Sequence, residues 1–157
     1  AVEYAGLGAR PDKGVDNHFE ARAERDQKPG VGLETVDFQI SLFSRLSDAQ
    51  QKELLEQTLA EVKTMASDFE KLLAAWKEGD LPALQEMLFR EAERYPDLMD
   101  LFLFDRNQAW LGRLEGFLKK GEHVMVLVGA GHLAGKQGLV ELLKARGYDV
   151  QRVHGAP

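Results

Sequence analysis

A continuous apolar run, Val124-Met125-Val126-Leu127-Val128, leads directly into the turn Gly129-Ala130-Gly131-His132. This succession constrains the fold more than anything else in the chain. Unbroken apolar character suits a strand covered on both faces, because a strand with one wet face alternates. A helix is expected from about Leu133 to Arg146, then Gly147, then a second strand near Tyr148–Val153. Strand, helix and strand in that order make a β-α-β unit, with a right-handed crossover and parallel strands.

The rest of the chain reads as mostly helical. Residues 1–13 are rich in Gly and Ala and form a loosely ordered lead-in. Asp16 stands where an N-cap belongs, with a polar helix to about Gln27 closed by Lys28-Pro29-Gly30. A short strand is expected at Val31-Gly32-Leu33, ending on Glu34, and then a helical segment with Phe38, Leu42 and Phe43 near one face. Ser47 and Gln50 have the spacing of a capping box at the head of the longest helix. Leu55, Leu59, Val62, Met65, Phe69, Leu72 and Trp76 recur along it at helical spacing and predict one buried stripe. Gly79 ends that helix, and Asp80 caps the next, with Pro82 in its first turn and its end at Tyr95-Pro96. A further helix starts near Asp97 and closes at Lys119-Lys120-Gly121, with cations where the helix dipole favours them. The expected fold is α/β: helix-rich, one domain over residues 1–157, with a small, mostly parallel sheet ending in the C-terminal β-α-β unit. About three strands make a thin sheet for so many helices, as if the domain were incomplete.

Composition narrows the function. A chain of 157 residues, 44% hydrophobic and 29% charged, fits one soluble domain. No apolar run reaches the roughly 18–20 residues of a membrane span, so no transmembrane segment is expected. The absence of cysteine excludes disulfides, thiolate catalysis and zinc fingers. A net charge of −6 argues against nucleic acid as the partner, since such binding is driven by neutralising phosphates. No signal peptide is expected within this chain, and composition leaves the compartment open.

The residues able to carry chemistry are few. His132 is placed at the carboxyl end of a central strand, where open α/β sheets hold ligands, although it could also cap the following helix or pack on the strand end. Glu34, at the end of its own short strand, either meets His132 in one crevice or caps the helix that follows it. An imidazole and a carboxylate together suit metal ligation or general acid–base work. Asn107 interrupts the apolar stripe Leu103, Trp110, Leu114 and Phe117, and a buried amide there needs partners. Arg106 beside it could clamp a carboxylate or phosphate. Gln39, in the helix after Glu34, is ambiguous in the same way as Arg106 and Asn107, between a structural and a functional role. His18, His123 and His154 read as solvated or packed residues.

Two glycine motifs can be tested on the turn. A P-loop fails, because Ala130 stands where its first glycine belongs and Gln137 follows Lys136 in place of Ser or Thr. The dinucleotide fingerprint fares better, with Gly129-x-Gly131-x-x-Ala134 between an expected strand and helix. The second strand, however, ends on Arg152 and His154 where an acid should hold the ribose. Dinucleotide binding therefore stays a runner-up.

Taken in order, these segments resemble the TraB/GumN family, which includes the Tiki-type metalloproteases. The matching residues are Gly14-Val15-Asp16 and the helix to Lys28, Gly32-Leu33-Glu34-Thr35 with Gln39, Arg106-Asn107-x-x-Trp110, and the stretch from Val126 to Val150 around the Gly-Ala-Gly-His turn. The similarity runs from about Gly14 to Val153, and between Gln50 and Tyr95 it is one of character only. The family pattern has two Gly-x-x-His motifs, a glutamate and an Arg-Asn pair. The second motif matches Gly129–His132, the glutamate matches Glu34, and the pair matches Arg106 and Asn107. The first motif belongs upstream of all these segments, and nothing here occupies it, since Gly14 and His18 are spaced one residue too far. The chain thus looks like the C-terminal part of a family domain.

The resemblance implies a metal-dependent, peptidase-like hydrolase, exported from the cytoplasm to the periplasm or beyond. In that reading Glu34 and His132 hold a divalent ion (manganese, cobalt or zinc). Arg106 stabilises negative charge, and Asn107 orients substrate or holds the histidine turn. The substrate is then a peptide or small molecule. The absent first histidine points to the alternative of a non-catalytic binding module on the same fold.

Overall fold

The structure is a computed structural model and describes residues 5–90 and 95–153, apart from the side chains of Pro11, Glu61, Lys63 and Met65. The chain divides into two compact units, Ala1–Phe69 and Glu70–Pro157, with the boundary falling inside the longest helix.

In the first unit a 3-10 turn at Pro11–Lys13 precedes helix α1, Val15–Arg25. Gly14 takes the N-cap position of α1, so Asp16 lies in its first turn and contributes there as an anion. The helix ends where Gln27 adopts a left-handed backbone (φ 53°) and the amide of Lys28 donates to Ala23 O. Helix α2, Val36–Ser44, is capped by Thr35, whose Oγ1 accepts from the Phe38 amide at 3.1 Å. Leu42 is buried on α2 whereas Phe43 is exposed, so only part of the expected apolar face is covered. Helix α3, Asp48–Glu78, opens with the expected capping box: Gln50 N donates to Ser47 Oγ, and Ser47 N donates to Gln50 Oε1. At about 1.5 Å per residue α3 is roughly 45 Å long. Its apolar stripe is not buried as expected: Leu55, Leu59, Val62 and Trp76 are all exposed. Periodicity identifies which face of a helix is apolar, not whether anything covers it. The Met65 side chain of that stripe lies outside the described residues.

In the second unit Gly79 turns the chain with φ +65°, and Asp80 caps helix α4, Leu81–Leu88, by accepting from the Ala83 amide at 3.1 Å. Helix α4 stops at Leu88, short of the expected Tyr95-Pro96. Helix α5, Pro96–Met99, passes into a π-helical segment, Asp100–Phe104, and then into helix α6, Asp105–Lys119. The π turn is closed by Asp105 N donating to Asp100 O, five residues back. After α6 an extended run leads to a 3-10 turn at Ala130–His132 and to the final helix α7, Leu139–Ala145. The core gathers Leu84, Leu98, Trp110, Leu111, Leu114, Ala134 and Leu139, with Asn107 and His132 as its buried polar members. Arg146 Nη1 pairs with Glu115 Oε2 at 3.0 Å, tying the end of α7 to α6.

The expected α/β architecture is not what forms. Among the described residues there is no strand, no sheet and hence no β-α-β unit. Val124–Val128 and Tyr148–Val153 take no regular secondary structure and join no ladder, and Val31–Leu33 runs into a bend at Leu33-Glu34. The physical reason is partnership. A strand exists only when a neighbour takes up its backbone N–H and C=O groups, and none of these segments has such a neighbour among the described residues. Val124, Met125, Val126 and Leu127 are exposed in place of being covered on both faces. The last helix also starts at Leu139, six residues after the expected Leu133, because Gly135 takes φ +77° and the chain first completes a tight loop.

Candidate functional site

The site is built where the Ala130–His132 turn meets α6. The turn is held by His132 N donating to Gly129 O and by Leu133 N donating to Ala130 O. Gly131 backs onto Leu103 and Leu88, and a Cβ there would meet the Leu103 side chain at 3.5 Å. The loop after the histidine is tighter still. A Cβ on Gly138 would lie 2.5 Å from the carbonyl oxygens of Leu133 and Ala134. Ala134 is wholly buried between these turns. The small residues of GAGHLAG thus let two backbone turns pack on α4 and the π segment.

His132 is about nine-tenths buried, and Asn107 on α6 is fully buried. The ring Nδ1 of His132 and Asn107 Oδ1 share a buried hydrogen bond of 2.7 Å. The amide nitrogen of Asn107 donates to Gln137 O at 2.8 Å and to His132 O at 3.4 Å. One side chain thereby ties α6 to both ends of the loop that carries the histidine. Trp110, one turn along α6, lies against the imidazole with ring centroids 4.5 Å apart. The Arg106 guanidinium sits 5.1 Å from the indole centroid, within cation–π range. It also donates to Phe102 O at 2.8 Å, inside the π segment. Such π turns are rare and often occur at functional sites. Among the described residues no buried side-chain nitrogen or oxygen lacks a hydrogen-bond partner.

Glu34 belongs to the first unit. It does not end a strand. It stands half-buried in the bend before α2, where its Oε2 accepts from Gln39 Nε2 at 3.3 Å. Thr35 is the helix cap, so the capping alternative for Glu34 is overturned. The bend requires glycine at Gly32, where a Cβ would lie 2.6 Å from the Glu34 carbonyl oxygen. His18 is exposed beside Phe19, and His123 is exposed before the extended run. His154 lies outside the described residues. Among the described residues no group of three or more His, Asp or Glu side chains is gathered as a metal cage would be.

Of the residues singled out in the sequence, Asn107 and His132 therefore touch, and Arg106 joins them through Trp110. The sequence reading missed Trp110 as a wall of the site, although its position one turn after Asn107 was a usable signal. It also missed the carbonyl of Gln137, which no side-chain pattern could reveal. The dinucleotide alternative loses its geometry, since the fingerprint needs a strand into Gly129 and a helix out of Ala134. Neither is present among the described residues.

Comparison with known proteins agrees with this arrangement of motifs. The model of the TraB/PrgY/gumN family matches residues 1–152. YbaP, an uncharacterised protein of Escherichia coli (strain K12), is 28% identical over 144 residues, covering 92% of this chain. YbaP of Shigella flexneri is similar to the same extent. The chain spans about half (53%) of the length of these relatives. No solved structure matches. No helix among the described residues is long and apolar enough to cross a membrane.

Proposed function

The chain belongs to the TraB/PrgY/gumN family, and from that premise we propose that His132 is the reacting centre of a metal-dependent, peptidase-like hydrolase. The observation that carries the reading is the buried His132–Asn107 hydrogen bond at the family's Gly-x-x-His turn. A buried imidazole held by a neighbouring amide is a fixed donor, oriented before any ligand arrives.

In this reading His132 supplies nitrogen to a manganese, cobalt or zinc ion, and Glu34, in the first unit, is the carboxylate of the family pattern. These donor types suit all three metals, but they are fewer than the three protein ligands of a usual catalytic site. When bound, such an ion acts as a Lewis acid and lowers the pKa of a coordinated water. The chain's own residues do the rest. Asn107 holds the histidine loop on α6. Trp110 walls one side of the imidazole and excludes water. Arg106, which donates to Phe102 O and lies over the indole, brings positive charge for a carboxylate or for developing negative charge. Export from the cytoplasm is part of the same reading, checked by fractionating cells that make the whole protein.

Calorimetric titration of the chain with manganese, cobalt and zinc chloride tests it. Binding is expected with the native chain and lost in His132→Ala. Equal binding by native chain and His132→Ala would refute the assignment. Peptide binding without metal dependence would favour the non-catalytic module.

A further inference from the structure

We infer that Asn107 is a positioning residue that fixes the tautomer of His132, holding the imidazole in its Nδ1–H form and leaving the lone pair on Nε2. The argument starts from the far end of the amide. Asn107 Nδ2 faces Gln137 O at 2.8 Å and His132 O at 3.4 Å. Backbone carbonyls accept and never donate, so the end of the amide facing two of them is the NH2 group. Turning the amide over would set its oxygen against a carbonyl oxygen at 2.8 Å, acceptor to acceptor. The amide orientation is therefore dictated by backbone positions, not by choice of atom labels.

Oδ1 is then the atom facing the ring, at 2.7 Å from Nδ1. An amide oxygen only accepts, so Nδ1 must carry the proton. A neutral imidazole has one N–H, and its lone pair accordingly lies on Nε2. A free histidine side chain in water favours the opposite form, with the proton on Nε2. Burial removes the water that would allow exchange between the two, since Asn107 is wholly enclosed and His132 nearly so. The Trp110 ring against the imidazole hinders the flip that would exchange the nitrogens.

This deepens the preceding reading by naming the atom of His132 that takes a ligand or proton, and rests on that reading only for what the atom binds. Histidines that ligate metals commonly donate their second nitrogen to a carboxylate or carbonyl. Here the acceptor is a neutral amide, which sets the tautomer and ring orientation without placing a negative charge beside the ring. Leucine is close in size to asparagine, but it offers no acceptor and would release the constraint.

The test is nitrogen NMR on metal-free protein labelled with 15N-histidine, at a pH where the ring is neutral. The His132 signals are those that vanish in His132→Gln. They are expected to show the proton on Nδ1 and a bare Nε2, while His18 and His123 show the opposite preference. In Asn107→Leu the His132 pattern is expected to move toward the Nε2–H form. A native His132 with its proton on Nε2 would overturn the inference whatever the variants do. So would a folded Asn107→Leu with an unchanged pattern. Because the native spectrum alone is decisive, a variant that does not fold leaves the test intact. The measurement uses no metal, so its failure is distinct from failure of the titration above.

Discussion

Replacing Gly138 with alanine should damage this protein more than its size suggests. The backbone at Gly138 has φ −74° and ψ 153°, which any L-residue adopts, so no conformational penalty arises. The cost is steric. The added methyl would lie 2.5 Å from Leu133 O and Ala134 O and 2.6 Å from Leu133 C, all backbone atoms of the loop after His132. A flexible side chain could swing away, but these atoms can move only if the loop moves. Overpacking typically costs about 1–3 kcal/mol, and rigid obstacles place Gly138→Ala in the upper part, about 2–3 kcal/mol. The neighbouring carbonyl of Gln137 receives the Asn107 amide, so displacement should also loosen the His132–Asn107 hydrogen bond. Gly112→Ala is the matched control. Gly112 lies inside α6 with nothing within 4 Å of a new Cβ, and alanine there should stabilise by about 0.4–1 kcal/mol. Urea unfolding followed by circular dichroism reads both, and the two midpoints should fall on opposite sides of the native one. A Gly138→Ala protein as stable as the native chain, with unchanged His132 ring signals, would refute the packing argument.

Asn107→Leu leaves the buried His132 Nδ1 without its partner and removes the donor to Gln137 O, so it should lower stability by about 1–3 kcal/mol in the same urea assay, although the new side chain is apolar. Leu111, about 1% exposed, should cost about 2–5 kcal/mol when cut to alanine. Leu59→Ala, on the exposed α3 stripe, should stay within about 0.5 kcal/mol of native in that assay. With two donors in place of three, the 157-residue chain alone should show no peptide hydrolysis with added manganese, cobalt or zinc. Metal-dependent turnover abolished by His132→Ala would show that the chain completes the site with residues not considered.

The sequence was most informative where a local rule acts alone. The Ser47–Gln50 capping box, the Asp80 cap with Pro82 in the first turn, and Gly79 and Gly121 at positive φ all depend on neighbours a few residues away. Strands were illegible for the opposite reason. Val124–Val128 has the composition of a covered strand, but pairing depends on a second segment that composition cannot supply. The π turn at Asp100–Phe104 also escaped, since hydrophobic spacing does not distinguish it from the α-helices on either side. For the site, an amide breaking the stripe of α6 pointed to Asn107, and two glycines pointed to His132. What joined them could not be read. The sequence said that a buried Asn107 needs partners, and they come from the backbone of His132 and Gln137, 25 and 30 residues away. Arg106 was read as a ligand clamp, but the sequence did not show that its guanidinium donates to Phe102 O and lies over the Trp110 ring.

The claim that matters most is that His132 is where a divalent ion meets this chain. Manganese is paramagnetic and broadens NMR signals close to where it binds, so it reports position directly. Titrating it into protein labelled at histidine should broaden the His132 ring signals first, ahead of those of the exposed His18 and His123. Broadening of His18 or His123 at lower manganese, with His132 still sharp, would contradict the account.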